Sequence, residues 1–339
     1  MEIMNTMIRS GSRVVVLGLL VLQFSWLAFG NFVIPVQHKF QGQERTLNAL
    51  NAHDAIRHGR ELSAVDMSMG GSLERTGCGA MVSGPQPHGL GLVGFGQDKT
   101  SLISQLASTG NVKKVFSHCL DSTKGGGIFA IGEVVQPIVK TTPIVDQFKY
   151  IIVANGVDVG GQVLQLPPEA FENGYGKDAM VDSGAALTFL PDNILEPLIA
   201  KIMAGKPGLR VFMNPGNFAC FNYTGDIGYD EFPNVTFHFE GSLSLTIHPH
   251  NYILPNNEWN NVTEWCLGWR SGKDNSQIGL PEIILGEVAL MDKLVLYDLE
   301  KQVIGWTQYN CSSSIKVREG SSGAVYSVNS HNIFQSTEH

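Results

Sequence analysis

From Tyr150 onward the chain alternates apolar and polar positions with the period of half-buried strands. Val235, Phe237 and Phe239 alternate with polar residues, and Leu243, Leu245 and Ile247 do so again after Glu240-Gly241-Ser242. That pattern predicts a hairpin with one buried face. Tyr150 to Val159 reads as a strand that Gly160-Gly161 turns back into Val163-Leu164. Leu294 to Tyr297 and Val303 to Trp306 predict a further strand pair. Helical spacing is rarer. Ser101 to Ala107 suits a short helix with Leu102, Ile103 and Leu106 on one side. Ile194, Leu198, Ile199 and Ile202 predict a helix to about Met203, capped by Asp192 or Asn193, with Pro197 near its first turn. Thr46 to Leu62, with Leu47, Leu50, Ile56 and Leu62, reads as a marginal amphipathic helix. Two readings fit it: a surface helix, or a removable pro-segment whose His53 and His58 gain charge as pH falls. The polar tail after Ser312 is expected to be disordered.

Composition sharpens this picture. Glycine numbers 38 and charged residues only 16%, a profile of glycine-rich, mostly β structure. The net charge is −8 and no long basic run occurs, which argues against nucleic acid as a partner. Arg9 and Arg13 precede the apolar run Val14 to Leu22, which continues through Phe24, Trp26 and Leu27, and Ala28-Phe29-Gly30 offers small residues for cleavage. This is the order of a secretory signal, so no stable membrane anchor is expected after its removal. Four Asn-x-Ser/Thr sequons, at Asn222, Asn234, Asn261 and Asn310, agree with export to the apoplast or vacuole. Five cysteines occur: Cys78, Cys119, Cys220, Cys266 and Cys311. In an oxidising compartment an odd number leaves one thiol over.

Several chemistries find no support. Gly94-Phe95-Gly96 lacks the strand, helix and third glycine of a phosphate loop. His248-Pro249-His250 has no third ligand at a persuasive spacing, so no metal or cofactor is expected. Trp259, Trp265, Trp269 and Trp306 read as packing residues rather than a carbohydrate platform.

The segment that carries chemistry is Ala179-Met180-Val181-Asp182-Ser183-Gly184. A small apolar strand delivers an aspartate into a tight turn, and Gly184 admits other backbone close to the carboxylate. Leu187 to Pro191 then resumes apolar structure before the helix.

With this segment, others in order resemble the pepsin-like aspartic endopeptidases, in the plant-type branch. They are Gly91-Leu92-Val93-Gly94-Phe95-Gly96, Phe116-Ser117-His118-Cys119-Leu120, Gly125-Gly126-Gly127-Ile128-Phe129, Ile284-Leu285-Gly286, Tyr297-Asp298 and Ile304-Gly305-Trp306. The resemblance implies a pepsin-like acid protease fold of two β lobes, each giving one aspartate to a peptide-binding cleft. The two carboxylates share a proton; one activates water while the other protonates the scissile carbonyl. It further implies that Asp182 is the second-lobe catalytic aspartate, with the Ser183 hydroxyl bridging to its counterpart. Ile284, Leu285 and Gly286 would support the Asp182 turn. Cys220 with Cys266 would be the second-lobe disulfide, and Cys119 with Cys311 would join the lobes.

The resemblance has two gaps. No first-lobe Asp-Thr/Ser-Gly triplet exists, and all eight tyrosines lie at or after Tyr150, so a flap tyrosine before Cys78 is absent. The expected account is loss of most of the first lobe, with Cys78 the cysteine whose partner went with it. This divides the chain into a signal peptide (1–30), a pro-segment-like region (31–74), a first-lobe remnant (75–140), a second lobe (141–312) and a tail (313–339). The second gap is Ala185, which stands where the family has a hydroxyl three positions after the aspartate. Losing that hydrogen bond costs the carboxylate roughly 1.5–3 kcal/mol of support. A lone carboxylate cannot serve as acid and base at once, so the chain is expected to be impaired as a monomer. Its partners are then a peptide or protein substrate, or a protein bound without cleavage on the same fold. A homodimer bringing two copies of Asp182 together is a third arrangement.

Overall fold

The computed structural model describes residues 46–48, 50, 95–110, 112–123, 126–171, 177–273, 275, 280–318 and 323–329, with the backbone of 32–35. Residues 1–31, the stretch 51–94 with Cys78, and residues 330–339 lie outside the described residues.

Among the described residues the structure is mostly β. A six-stranded sheet runs in spatial order Phe32–Pro35, Gly127–Ile131, Val115–Leu120, Lys293–Asp298, Val303–Gln308 and Lys140–Pro143. The 115–143 stretch thus completes its sheet with strands from near residue 300. The strand Phe32–Pro35 sits on its edge and pairs with Ile128–Ile131. Gly305 permits the far edge, because a Cβ there would lie 1.9 Å from the Lys140 carbonyl oxygen.

The larger mixed sheet has the order Leu243–Ile247, Val235–Phe239, Ile151–Val159, Asp178–Val181, Ile283–Leu285, Thr188–Leu190 and Trp269–Ser271. Here the alternating pattern acts as read. Val235, Phe237 and Phe239 are buried, and so are Leu243, Leu245 and Ile247 opposite them. Gly160 and Gly161 both take positive φ, and Gln162–Val163 folds back on Asp158–Val159. A four-stranded sheet, Phe212–Met213, Ala219–Thr224, Val262–Leu267 and Ile253–Trp259, projects beside it.

The helix Leu102–Ser108 starts on Ser101, whose hydroxyl accepts from the Ser104 N–H. The helix Asp192–Ala204 buries Ile194, Leu195, Leu198 and Ile202, with Ile199 half-buried. Its N-cap is Pro191 rather than the expected Asp192 or Asn193, and no side chain caps it. Proline's fixed φ suits that extended position, and Asp192 instead puts its charge in the first turn. Pro197 falls beyond the first turn, inside the helix.

One further expectation changes. The tail forms strands: Ile315–Arg318 pairs with both Val325–Val328 and Glu133–Gln136. Ile315 and Val317 are buried against Leu294 and the Cys119–Cys311 disulfide, which gives this short segment a core to join. Leu47 and Leu50, the two described apolar positions of the expected amphipathic segment, are buried in one cluster with Ala185, Ala186, Leu187, Phe189 and Val288, while its residues 51–62 lie outside the described residues.

Candidate active site

The Asp182 turn is assembled from three strands. Asp178–Val181 lies antiparallel to Ile151–Val153 and parallel to Ile283–Leu285. Small and apolar residues fit here because Ala179, Met180 and Val181 are all fully enclosed. The Asp182 N–H donates to the Leu285 carbonyl at 3.0 Å, and the Ala185 N–H closes the turn onto the Asp182 carbonyl at 3.1 Å. The Gly184 N–H donates to Asp182 Oδ1 at 3.0 Å.

Ile284, Leu285 and Gly286 brace this turn from the side. Beyond them the Glu287 N–H donates to the Ala185 carbonyl at 2.7 Å, and the Val288 N–H to the Ala186 carbonyl at 3.2 Å. The two segments meet so closely that a Cβ on Gly286 would stand 2.0 Å from the Leu187 carbonyl oxygen. Only glycine fits that approach.

Asp182 is 1% exposed and Ser183 7% exposed. Beside them lies Tyr297, from the six-stranded sheet, which hydrogen-bonds with Ser183. Burial raises the Tyr297 phenol well above its ordinary range, and the nearby Asp182 carboxylate adds to the rise. The Tyr297 hydroxyl also meets His118 Nε2 at 3.3 Å. Burial pushes His118 down to about 4, with the charge of Glu287 opposing. Phe116 stacks on Tyr297 at 4.5 Å, and Tyr150 meets its edge at 4.7 Å. Tyr150 in turn donates to the Phe95 carbonyl. A polar chain thus runs from Asp182 through Ser183 and Tyr297 to His118, walled by aromatic rings.

Asp182, Ser183, Gly184, Ile284, Leu285 and Gly286, the six residues expected at this turn, lie together in the structure. Tyr297 and His118 lie within matching motifs, but the motifs do not announce the part these two residues play here. The signal for His118 is a titratable side chain within Val115–Leu120, a strand buried at every position. Ala185 is fully buried and offers the turn no hydroxyl.

The disulfides Cys119–Cys311 and Cys220–Cys266 are both formed, the pairs the resemblance implies. Cys220, Glu264 and Cys266 converge, but both sulfurs are bonded to each other and offer no thiolate. His248 and His250 stack at 5.7 Å; His248 Nδ1 meets Asn234 Oδ1 at 3.0 Å, and His250 Nε2 lies 3.6 Å from Asp292 Oδ2. Among the described residues no helix is long and apolar enough to cross a membrane.

Comparison with known proteins agrees with this geometry. Residues 149–308 match the family model described as xylanase inhibitor C-terminal, and residues 66–133 the one described as xylanase inhibitor N-terminal. Aspartic proteinase 36 of Arabidopsis thaliana is 48% identical over 245 residues, covering 72% of this chain and 49% of that protein. Aspartic proteinase 39 of the same plant is 44% identical over 262 residues, covering 76% and 53%. Aspartic proteinase nepenthesin-2 of Nepenthes gracilis is 27% identical over 253 residues, covering 70% and 54%. The chain spans about half the length of the curated relatives it matches. With a mostly β, pepsin-like fold built around the Asp182 turn, the chain belongs to the plant branch of the pepsin-like aspartic endopeptidase family.

Proposed function

We propose that this chain, as a monomer, is a family member that does not hydrolyse peptides, and that Asp182 is its second-lobe catalytic-type aspartate. One observation carries the reading: the Asp182 carboxylate is closed to solvent, while its Ser183 neighbour is engaged by Tyr297. An aspartate that activates water needs water and substrate at hydrogen-bond distance. Loss of most of the first lobe, with its Asp-Thr/Ser-Gly triplet, accounts for the single such triplet in the sequence and for Cys78. Leu47 and Leu50, packed on the residues that follow Asp182, favour the pro-segment reading of that stretch. Export to the apoplast or vacuole fits the leader-like N-terminus and the two disulfides.

The purified chain and its Asp182→Asn variant should be compared on a denatured protein substrate from pH 3 to 7, with and without pepstatin. Equal, pepstatin-insensitive background in both is expected. Pepstatin-sensitive cleavage that vanishes in the variant would sink the proposal. If such cleavage tracked a dimer in sedimentation, two copies of Asp182 acting together would be the replacement.

A second reading is favoured by the descriptions of both family models: a protein that binds a secreted glycosidase such as a xylanase without cleaving it. Retention of an intact xylanase on the immobilised chain, with loss of xylan hydrolysis, distinguishes that reading from an idle fold.

A further inference from the structure

The four sequons are not equivalent once folded. All four asparagines are exposed. Asn222 lies within a strand, opposite Glu264. The Asn234 carboxamide is engaged by His248 at 3.0 Å. Asn310 Oδ1 accepts from the Ser312 N–H at 3.0 Å, and the next residue, Cys311, is buried in a disulfide. Asn261 differs from these. It is the second residue of a two-residue turn joining Ile253–Trp259 to Val262–Leu267, with Trp259 directly opposite Val262. Asn260 and Asn261 take φ of 52° and 61°, the paired left-handed geometry of the tightest hairpin turns. Asparagine tolerates that conformation better than other residues bearing a Cβ. The hydroxyl residue of the sequon, Thr263, is held by the ladder opposite Glu258.

The same turn carries an anomaly. Trp259 is 77% exposed, more than any other large aromatic side chain among the described residues, whereas Trp269 and Trp306 are buried at 1% and 4%. The expectation that all four tryptophans serve packing therefore fails at Trp259. An indole left open at a hairpin tip is a wide apolar face, and among the described residues Trp259 stays uncovered. The axial C–H groups of a sugar ring suit that face.

We propose that Asn261 carries an N-linked glycan whose first N-acetylglucosamine stacks on the indole of Trp259. The donor is a lipid-linked oligosaccharide pyrophosphate of the secretory pathway. The Asn261 amide nitrogen forms a bond to the anomeric carbon, the bond from that carbon to pyrophosphate oxygen breaks, and the amide gives up one proton. Trp259 takes no part in the transfer; it holds the product against the hairpin and stiffens the turn.

The full chain should be expressed in a plant cell line, recovered from microsomes and medium, and mapped by mass spectrometry after peptide N-glycosidase treatment in heavy-oxygen water. Conversion of Asn261 to labelled aspartate is expected. Enzymatic trimming of the glycan back to the protein should lower Tm by about 2–4 °C in the wild type. The same treatment should lower it hardly at all in Trp259→Ala, and by nearly the full amount in Trp259→Phe. An unmodified Asn261 in every fraction overturns the proposal. So does a Tm loss in Trp259→Ala equal to that of the wild type, which would leave the sugar attached but not stacked.

Discussion

Replacing Cys119 and Cys311 together by alanine is expected to lower the unfolding free energy by about 5 kcal/mol at 25 °C. The bond spans 192 residues, so cutting it returns to the unfolded chain the freedom of a very large loop. The folded state loses little packing by comparison, since both sulfurs occupy a small cluster with Ile128, Ala130, Leu294, Ile315 and Val317. The Cys220–Cys266 bond spans 46 residues, and the same reasoning gives about 4 kcal/mol. That bond also joins residues already opposite one another on adjacent strands. Urea denaturation of the two double variants beside the wild type checks the order. The Cys119/Cys311 variant should have the lowest midpoint. A reversed order would show that chain freedom does not govern these bonds.

Acid is expected to weaken the fold through one buried residue. Unfolded His118 takes a proton as pH falls through 6.5, but the folded chain accepts one only near 4 because burial disfavours the charge. Proton uptake therefore favours the unfolded chain across that window. The stability held by neutral His118 is complete above pH 6.5 and lost by pH 4, about 3 kcal/mol in all. Glu287 is the charged group that opposes this, and Tyr297 is the polar contact. His118→Gln keeps a side-chain amide that can donate to or accept from the Tyr297 hydroxyl but cannot titrate. Between pH 7 and pH 4.5 the unfolding free energy should fall further in the wild type than in the variant, by about 2 kcal/mol. Equal falls would remove His118 as the cause.

The sequence disclosed what depends on neighbours along the chain. The hairpin of Phe237 and Leu245 was legible because alternation and the Glu240-Gly241-Ser242 turn point to the same register. The Asp182 turn was legible because its glycine and the apolar strand before it are local. What stayed hidden depends on residues far away. His118 meets Tyr297 across 179 positions, so neither could announce the contact. Ile315 and Val317 offer only two apolar positions, and their burial rests on a disulfide to Cys119. Trp259 shares its residue type with buried Trp269, and only the hairpin geometry separates them.

The six-stranded sheet carries a consequence for biogenesis. Val115–Leu120 has Lys293–Asp298 as its neighbour, and Lys140–Pro143 has Val303–Gln308. During synthesis those early strands must wait, edges unsatisfied, until some 150 or more further residues have been translated. Non-local pairing of this kind closes slowly. Nascent chains should therefore spend a long interval in the care of chaperones, and a slow ribosome would lengthen their exposure to aggregation.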